Sequence, residues 1–262
     1  MPFHFPPVDV RTLEDWKELV SSSGHKSALV FVHGFNNTFR DALCRAAQIM
    51  WDLQYPGLPV LFSWPSRGAV LDYIYDRDSA LGARDSFIET LRNLRSAGVS
   101  RIDILAHSMG NLVVLDSLAG HSHTSDPLGI AEILMAAPDL DKDHYKTIAA
   151  KVRAAASGMT LYASSADRAL AASKRLAGNI ARAGDVPSSG PILVDGIETI
   201  DVTPIGAEVF GLGHGPFAST RSILNDIALI ISTGTRPPNK RLAEIRGMPI
   251  GERLPKWWRY SD

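Results

Sequence analysis

Apolar residues along this chain gather in short, nearly continuous runs. Ala28–Val32, Pro59–Phe62, Ile102–Leu105, Ile130–Ala136, Met159–Tyr162 and Ile197–Val202 are dominated by Val, Ile, Leu and Ala, with few polar interruptions. A strand covered on one face alternates apolar with polar residues, whereas an unbroken run fits a strand covered on both. Between the runs lie stretches of helical character. Asp41–Leu53 follows a polar Asn-Asn-Thr start, Ser79–Ser96 ends near Gly98, and Asn111–Leu118 stops at Gly120. Asp141–Ala156 stops before Gly158 and Ser165–Leu176 before Gly178, the glycine and polar punctuation that helices use. Ile223–Ile231 is apolar but short, and reads as a buried helix. This alternation predicts an α/β fold, a mostly parallel sheet of at least six strands with helices on both faces. Chemistry in such sheets gathers beyond the carboxyl ends of the strands.

Two segments fall outside the pattern. Ala181–Asp195, rich in Gly, Pro and Ser, reads as an exposed loop. Residues 1–235 are expected to form one α/β domain. Residues 236–262 are expected to be a basic, aromatic tail packing on that domain or on a partner subunit. The tail carries Arg236, Lys240, Arg241, Arg246, Arg253, Lys256 and Arg259 and ends in Trp257-Trp258-Arg259-Tyr260. A homodimer assembled through that aromatic cluster is the second of the two arrangements.

Composition narrows the function classes. The chain has 262 residues, with 27 Lys and Arg against 28 Asp and Glu. Bulk charge therefore gives no reason to expect a nucleic-acid partner, and the tail's spread cations would release few counterions. The single cysteine, Cys44, excludes an intrachain disulfide and a cysteine-based zinc site. Met1–Pro7 lacks the basic start and apolar run of a signal peptide, and no stretch approaches the ~20 apolar residues that span a bilayer. A cytoplasmic location, without stable membrane insertion, is the expectation.

The chemistry is concentrated in Arg101–Leu115, which reads as a strand, a sharp turn with Ser108 at its apex, and an apolar helix. This is a nucleophile elbow, which lifts a serine Oγ off the end of a strand and sets it at a helix N-terminus. The flanking pattern Ala106-His107-Ser108-Met109-Gly110 replaces the first glycine of G-x-S-x-G by alanine, still small enough for the turn. Val30-Phe31-Val32-His33-Gly34-Phe35-Asn36-Asn37 ends a second strand in His-Gly. The backbone N–H groups of Phe35 and Met109 are therefore the expected oxyanion donors. His33 reads as structural. The base is expected from the glycine-rich Phe210–Pro216 as His214. The acid is expected to be Asp167, after the fifth strand, with Asp139 after the fourth as the alternative. Either satisfies the order Ser…Asp…His. Asn36, Trp64 and Tyr73 are expected to line the substrate site, with plain packing an equal reading for Trp64 and Tyr73. No metal and no cofactor are expected.

With these residues in place, the chain resembles proteins of the α/β-hydrolase fold. Within that superfamily it is similar to the bacterial esterase/lipase-like group DUF900. The resemblance covers Lys26 to Ile231. It rests on F-V-H-G-F-N-N at Phe31–Asn37, F-S-W-P-S at Phe62–Ser66, Tyr73…Asp76, A-H-S-M-G-N at Ala106–Asn111, A-A-P-D at Ala136–Asp139, S-x-x-D-x-A-L at Ser164–Leu170 and G-L-G-H at Gly211–His214. The resemblance implies a triad of Ser108, Asp167 and His214 that hydrolyses carboxylic esters without a metal. With no long cap insertion in view, small or medium esters are the expected substrates. Thioesterase, lactonase, amidase or acyltransferase chemistry, and a non-catalytic binding role, are the alternatives.

Overall fold

The predicted apolar runs become strands β1 Ser27–Val32, β2 Leu58–Phe62, β3 Arg101–His107, β4 Ile130–Ala136, β5 Ala156–Ala163 and β6 Glu198–Asp201. They are seen in a computed structural model that describes residues 9–69, 72–121, 127–176, 178, 180–206 and 217–261. Two more strands follow, β7 Ile245–Met248 and β8 Trp257–Tyr260. All belong to one eight-stranded sheet in the order β2-β1-β3-β4-β5-β6-β8-β7, parallel except for β7.

The helices are α1 Leu13–Ser22, α2 Phe39–Asp52, α3 Tyr73–Gly82, α4 Arg84–Ser96, α5 Gly110–His121, α6 Lys142–Val152, α7 Arg168–Leu176 and α8 Phe217–Thr233. Side chains alternate through the sheet into two cores. Ala28, Val30 and Val32 of β1 join residues of α1 and α3–α6 in one. Leu29 and Phe31 join α2 and α8 in the other. Both faces are therefore covered, which is why the strand sequences run apolar with few polar interruptions. Among the described residues no helix is long and apolar enough to cross a membrane.

Two expectations need correction, and other elements were not foreseen. The helix expected over Ser79–Ser96 is two helices, because the chain turns at Ala83 and α3 begins earlier, at Tyr73. Helix α1 was not foreseen, although Thr12 and Asp15 form a capping box at its start. Ala181–Asp195 is not exposed throughout: Arg182 and Ala183 are buried, and Ala183 and Gly184 donate to the carbonyls of Leu140 and Pro138. The tail supplies two strands that the pattern gave no sign of: β8 pairs with β6 through Ile200↔Trp258 and Asp201↔Arg259, and β7 pairs with β8.

The tail also covers a row of buried acids. On the α8 face, Asp103 lies beside Glu132 in register, and Thr160 beside Glu198. Asp103 holds Arg101 through two 3.0 Å bonds. Arg236 reaches both Glu132 and Glu198. Arg241 meets Glu198 at 3.1 Å and Asp226 at 2.7 Å, and Asp226 accepts from the Tyr162 hydroxyl at 2.7 Å. Gly158 makes this possible, because a Cβ there would overlap Arg236 and the Glu132 carboxylate.

Candidate active site

The carboxyl ends of β1, β3, β4 and β5 come level, through the pairs Val32↔Ala106, His107↔Ala136 and Ala136↔Tyr162. The turns that follow these strands therefore share one edge of the sheet. Ser108 sits in the turn between β3 and α5 with φ 50°, a left-handed conformation that costs a non-glycine residue about 1–3 kcal/mol. Its surroundings hold it there. The Ser108 N–H donates to Ala136 O at 2.9 Å, and the Ser108 carbonyl accepts from Asn111 N, Asn111 Nδ2 and Asp139 N at 3.1, 3.0 and 3.2 Å. Asn111 Nδ2 also reaches Ala106 O at 3.2 Å, which ties both sides of the elbow together. The sequence motif contains Asn111 but gives no sign of this clamp, because the carbonyls it holds at Ala106 and Ala136 are brought together only by the fold.

The loop after β1 lies directly on this elbow. A Cβ at Gly34 would stand 2.9 Å from Ser108 Cβ, and one at Gly110 would stand 2.5 Å from Val32 O. The structure thus brings Gly34 against Ser108, and Gly110 against the end of β1. His33 is buried and stacked on Trp64, with ring centroids 5.1 Å apart. Its Nδ1–H donates to Gly34 O at 2.8 Å, leaving Nε2 to accept from the Ser63 hydroxyl at 3.2 Å. Burial holds this imidazole below its usual pKa, despite backbone hydrogen bonds at Gly34 and Trp64 and the charge of Asp76. With both nitrogens engaged, His33 is a structural histidine.

Two of the expected pocket residues face inward. Trp64 is 2% exposed, donates from Nε1 to His33 O at 2.8 Å, and so packs as a brace. Tyr73 is 5% exposed and meets the Phe35 ring edge-on at 5.3 Å. Packing, the other reading weighed for both, accounts for these contacts. Phe35 and Asn36 are half-buried, and Asn36 has φ 57°.

The two candidate acids have different surroundings. Asp139 is buried in an ion pair with Arg182 at 3.2 Å and accepts from the Ser173 hydroxyl at 2.9 Å, while Arg182 Nη2 donates to the Tyr73 hydroxyl at 3.2 Å. Burial raises the Asp139 pKa, with Arg182 opposing. Asp139 thus pairs through Oδ1 with Arg182 of the 181–195 segment, while its buried Oδ2 takes no hydrogen bond among the described residues. Asp167 is also buried, beyond the end of β5, and its Oδ1 accepts from Leu170 N at 2.9 Å at the start of α7. Its loop touches the segment after β6, where Ser165 N donates to Thr203 Oγ1 at 3.0 Å. His214 lies with Phe210–Pro216 outside the described residues.

A family model described as an alpha/beta hydrolase of unknown function, DUF900, matches residues 11–233. A search of curated proteins found no match.

Proposed function

Given that the chain belongs to the DUF900 family of α/β hydrolases, we propose that it is a serine hydrolase cleaving small or medium carboxylic esters. The observation that carries this reading is the strained Ser108, raised between β3 and α5 and fixed by Asn111 and Ala136. In the proposed cycle Ser108 Oγ attacks the ester carbonyl while His214 takes its proton. The N–H groups of Phe35 and Met109 receive the developing oxyanion. His214 then protonates the leaving alcohol. Water, deprotonated by the same imidazole, releases the acid and restores the serine. Asp167 orients the imidazole, with Asp139 the alternative acid. Asn36 is the substrate-contact candidate nearest the surface, with Trp64 and Tyr73 behind it as candidates for the pocket wall.

Ser108→Ala should lower p-nitrophenyl acetate turnover by about 10⁴-fold or more and abolish labelling by a fluorophosphonate probe. Asp167→Asn should lower turnover by a smaller but comparable factor. Undiminished turnover in Ser108→Ala overturns the reading. Full activity in Asp167→Asn, with loss in Asp139→Asn, moves the acid to the turn after β4.

A further inference from the structure

We propose that Asp76 is a positioning residue that sets the aim of the Phe35 oxyanion donor. This rests on the serine-hydrolase reading above. Asp76 lies in the first turn of α3 and is fully buried, yet its carboxylate serves neighbouring loops. Oδ2 accepts from Asn36 N at 3.3 Å and from the Ser66 hydroxyl at 2.6 Å, and Oδ1 accepts from Arg67 N at 2.9 Å. Ser66 Oγ in turn accepts from Asn37 N at 3.3 Å. A buried carboxylate is costly unless it is hydrogen-bonded, and here the donors come from the loop after β1 and the loop after β2.

The consequence follows from peptide geometry. In a planar trans peptide the C=O and the next N–H point in opposite directions. Gly34 O is pinned by His33 Nδ1 at 2.8 Å and Asn37 Nδ2 at 3.1 Å, which fixes the direction of the Phe35 N–H. The following peptide is pinned at both ends, with Phe35 O held by Asn37 Nδ2 at 2.8 Å and Asn36 N–H held by Asp76. Both planes flanking Phe35 are therefore set, and Asp76 supplies the anchor that reaches across from α3. It also holds Asn36 in its left-handed conformation. An oxyanion donor works because it is aimed before the charge develops, so an anchor one residue away controls the rate without touching substrate.

The test compares Asp76→Asn and Ser66→Ala with the unaltered chain. Turnover of p-nitrophenyl acetate, the rate of fluorophosphonate labelling, affinity for phenylboronic acid and thermal melting are each measured. The amide turns a donor toward groups that need an acceptor. Asp76→Asn should therefore lower kcat by about 10- to 100-fold, less than the ~100- to 1000-fold loss of a whole donor. KM should stay within about twofold, and labelling rate and boronate affinity should fall in step with kcat. Ser66→Ala, the milder change, should lower kcat by roughly 3- to 10-fold. A purely structural role would shift melting and leave boronate affinity intact. That result, or a change confined to KM, overturns the proposal. Should Asp76→Asn not fold, Ser66→Ala decides alone, and unchanged kcat and boronate affinity in it overturn the proposal. An unaltered chain that takes no fluorophosphonate sinks the hydrolase reading and this role with it. A labelled chain with indifferent variants sinks this role alone.

Discussion

Ser108 keeps its left-handed backbone only because the groups around it leave no better choice. Gly110 matters as much as any hydrogen bond, since a Cβ there would stand 2.5 and 2.6 Å from the carbonyl oxygens of Val32 and His33. Backbone oxygens at the end of a central strand cannot step aside as the tip of a long side chain can. Gly110→Ala should therefore cost about 1–3 kcal/mol in urea unfolding and slow fluorophosphonate labelling, because the loop after β1 must move off the elbow. A melt and labelling rate indistinguishable from the parent would contradict this. At this scale the candidate nucleophile was legible, because strand, serine and apolar helix are contiguous. The part played by Asp139 was not, since its partner Arg182 lies far along the chain in a segment whose glycines and prolines read as surface.

Among the elements, the strands with two covered faces were the easiest to foresee. β4 was anticipated residue for residue, as Ile130–Ala136. Helix α3 was hidden because Tyr73-Ile-Tyr-Asp-Arg-Asp mixes aromatics and acids, and because two of its inward residues, Tyr73 and Asp76, serve neighbouring loops. β7 and β8 were missed for a related reason. Ile-Arg-Gly-Met and Trp-Trp-Arg-Tyr carry little strand pattern, and their pairing with β6 is non-local.

The buried charges that join these elements give a test of their own. Arg241 and Asp226 have fully buried side chains, so Arg241→Met strands Asp226 and weakens the cover of Glu198. We expect about 3–5 kcal/mol of lost stability near pH 7 by urea unfolding. Burial raises the Glu198 pKa in the folded protein, against the pull of Arg236 and Arg241. A carboxyl raised in this way supports the fold fully when protonated, below its ordinary value of about 4.5, and loses that support as pH climbs through the raised value. The deficit of Arg241→Met should therefore shrink as pH falls from neutrality into the acid range. A deficit that grows with acidity would refute the assignment.

Across the whole molecule, the candidate site and the start of the acid row lie toward opposite ends of the sheet. The candidate site occupies the carboxyl ends of β1, β3 and β5, while the acid row begins near their amino ends, at Asp103 of β3 and Glu132 of β4. The family model stops at residue 233, yet the sheet continues to Tyr260, and Arg236 and Arg241 come from beyond the matched span. A boundary drawn from sequence between a domain and a tail thus falls inside one sheet, because hydrophobic runs report core strands and say nothing of ion pairs that recruit later ones.

The joint between β6 and β8 is two residue pairs long, whereas β3 and β4 share six. A zipper with so few teeth should come undone before its neighbours, which makes the 245–260 hairpin the expected margin from which this protein peels. In hydrogen-exchange measurements the amides of β7 and β8 should lose protection well before those of β3 and β4. Each such excursion would free the edge of β6 at Ile200 and Asp201 while the turn carrying Ser108 stays shut. Equal protection across all eight strands would mean that ionic anchoring welds the hairpin as firmly as the middle of the sheet.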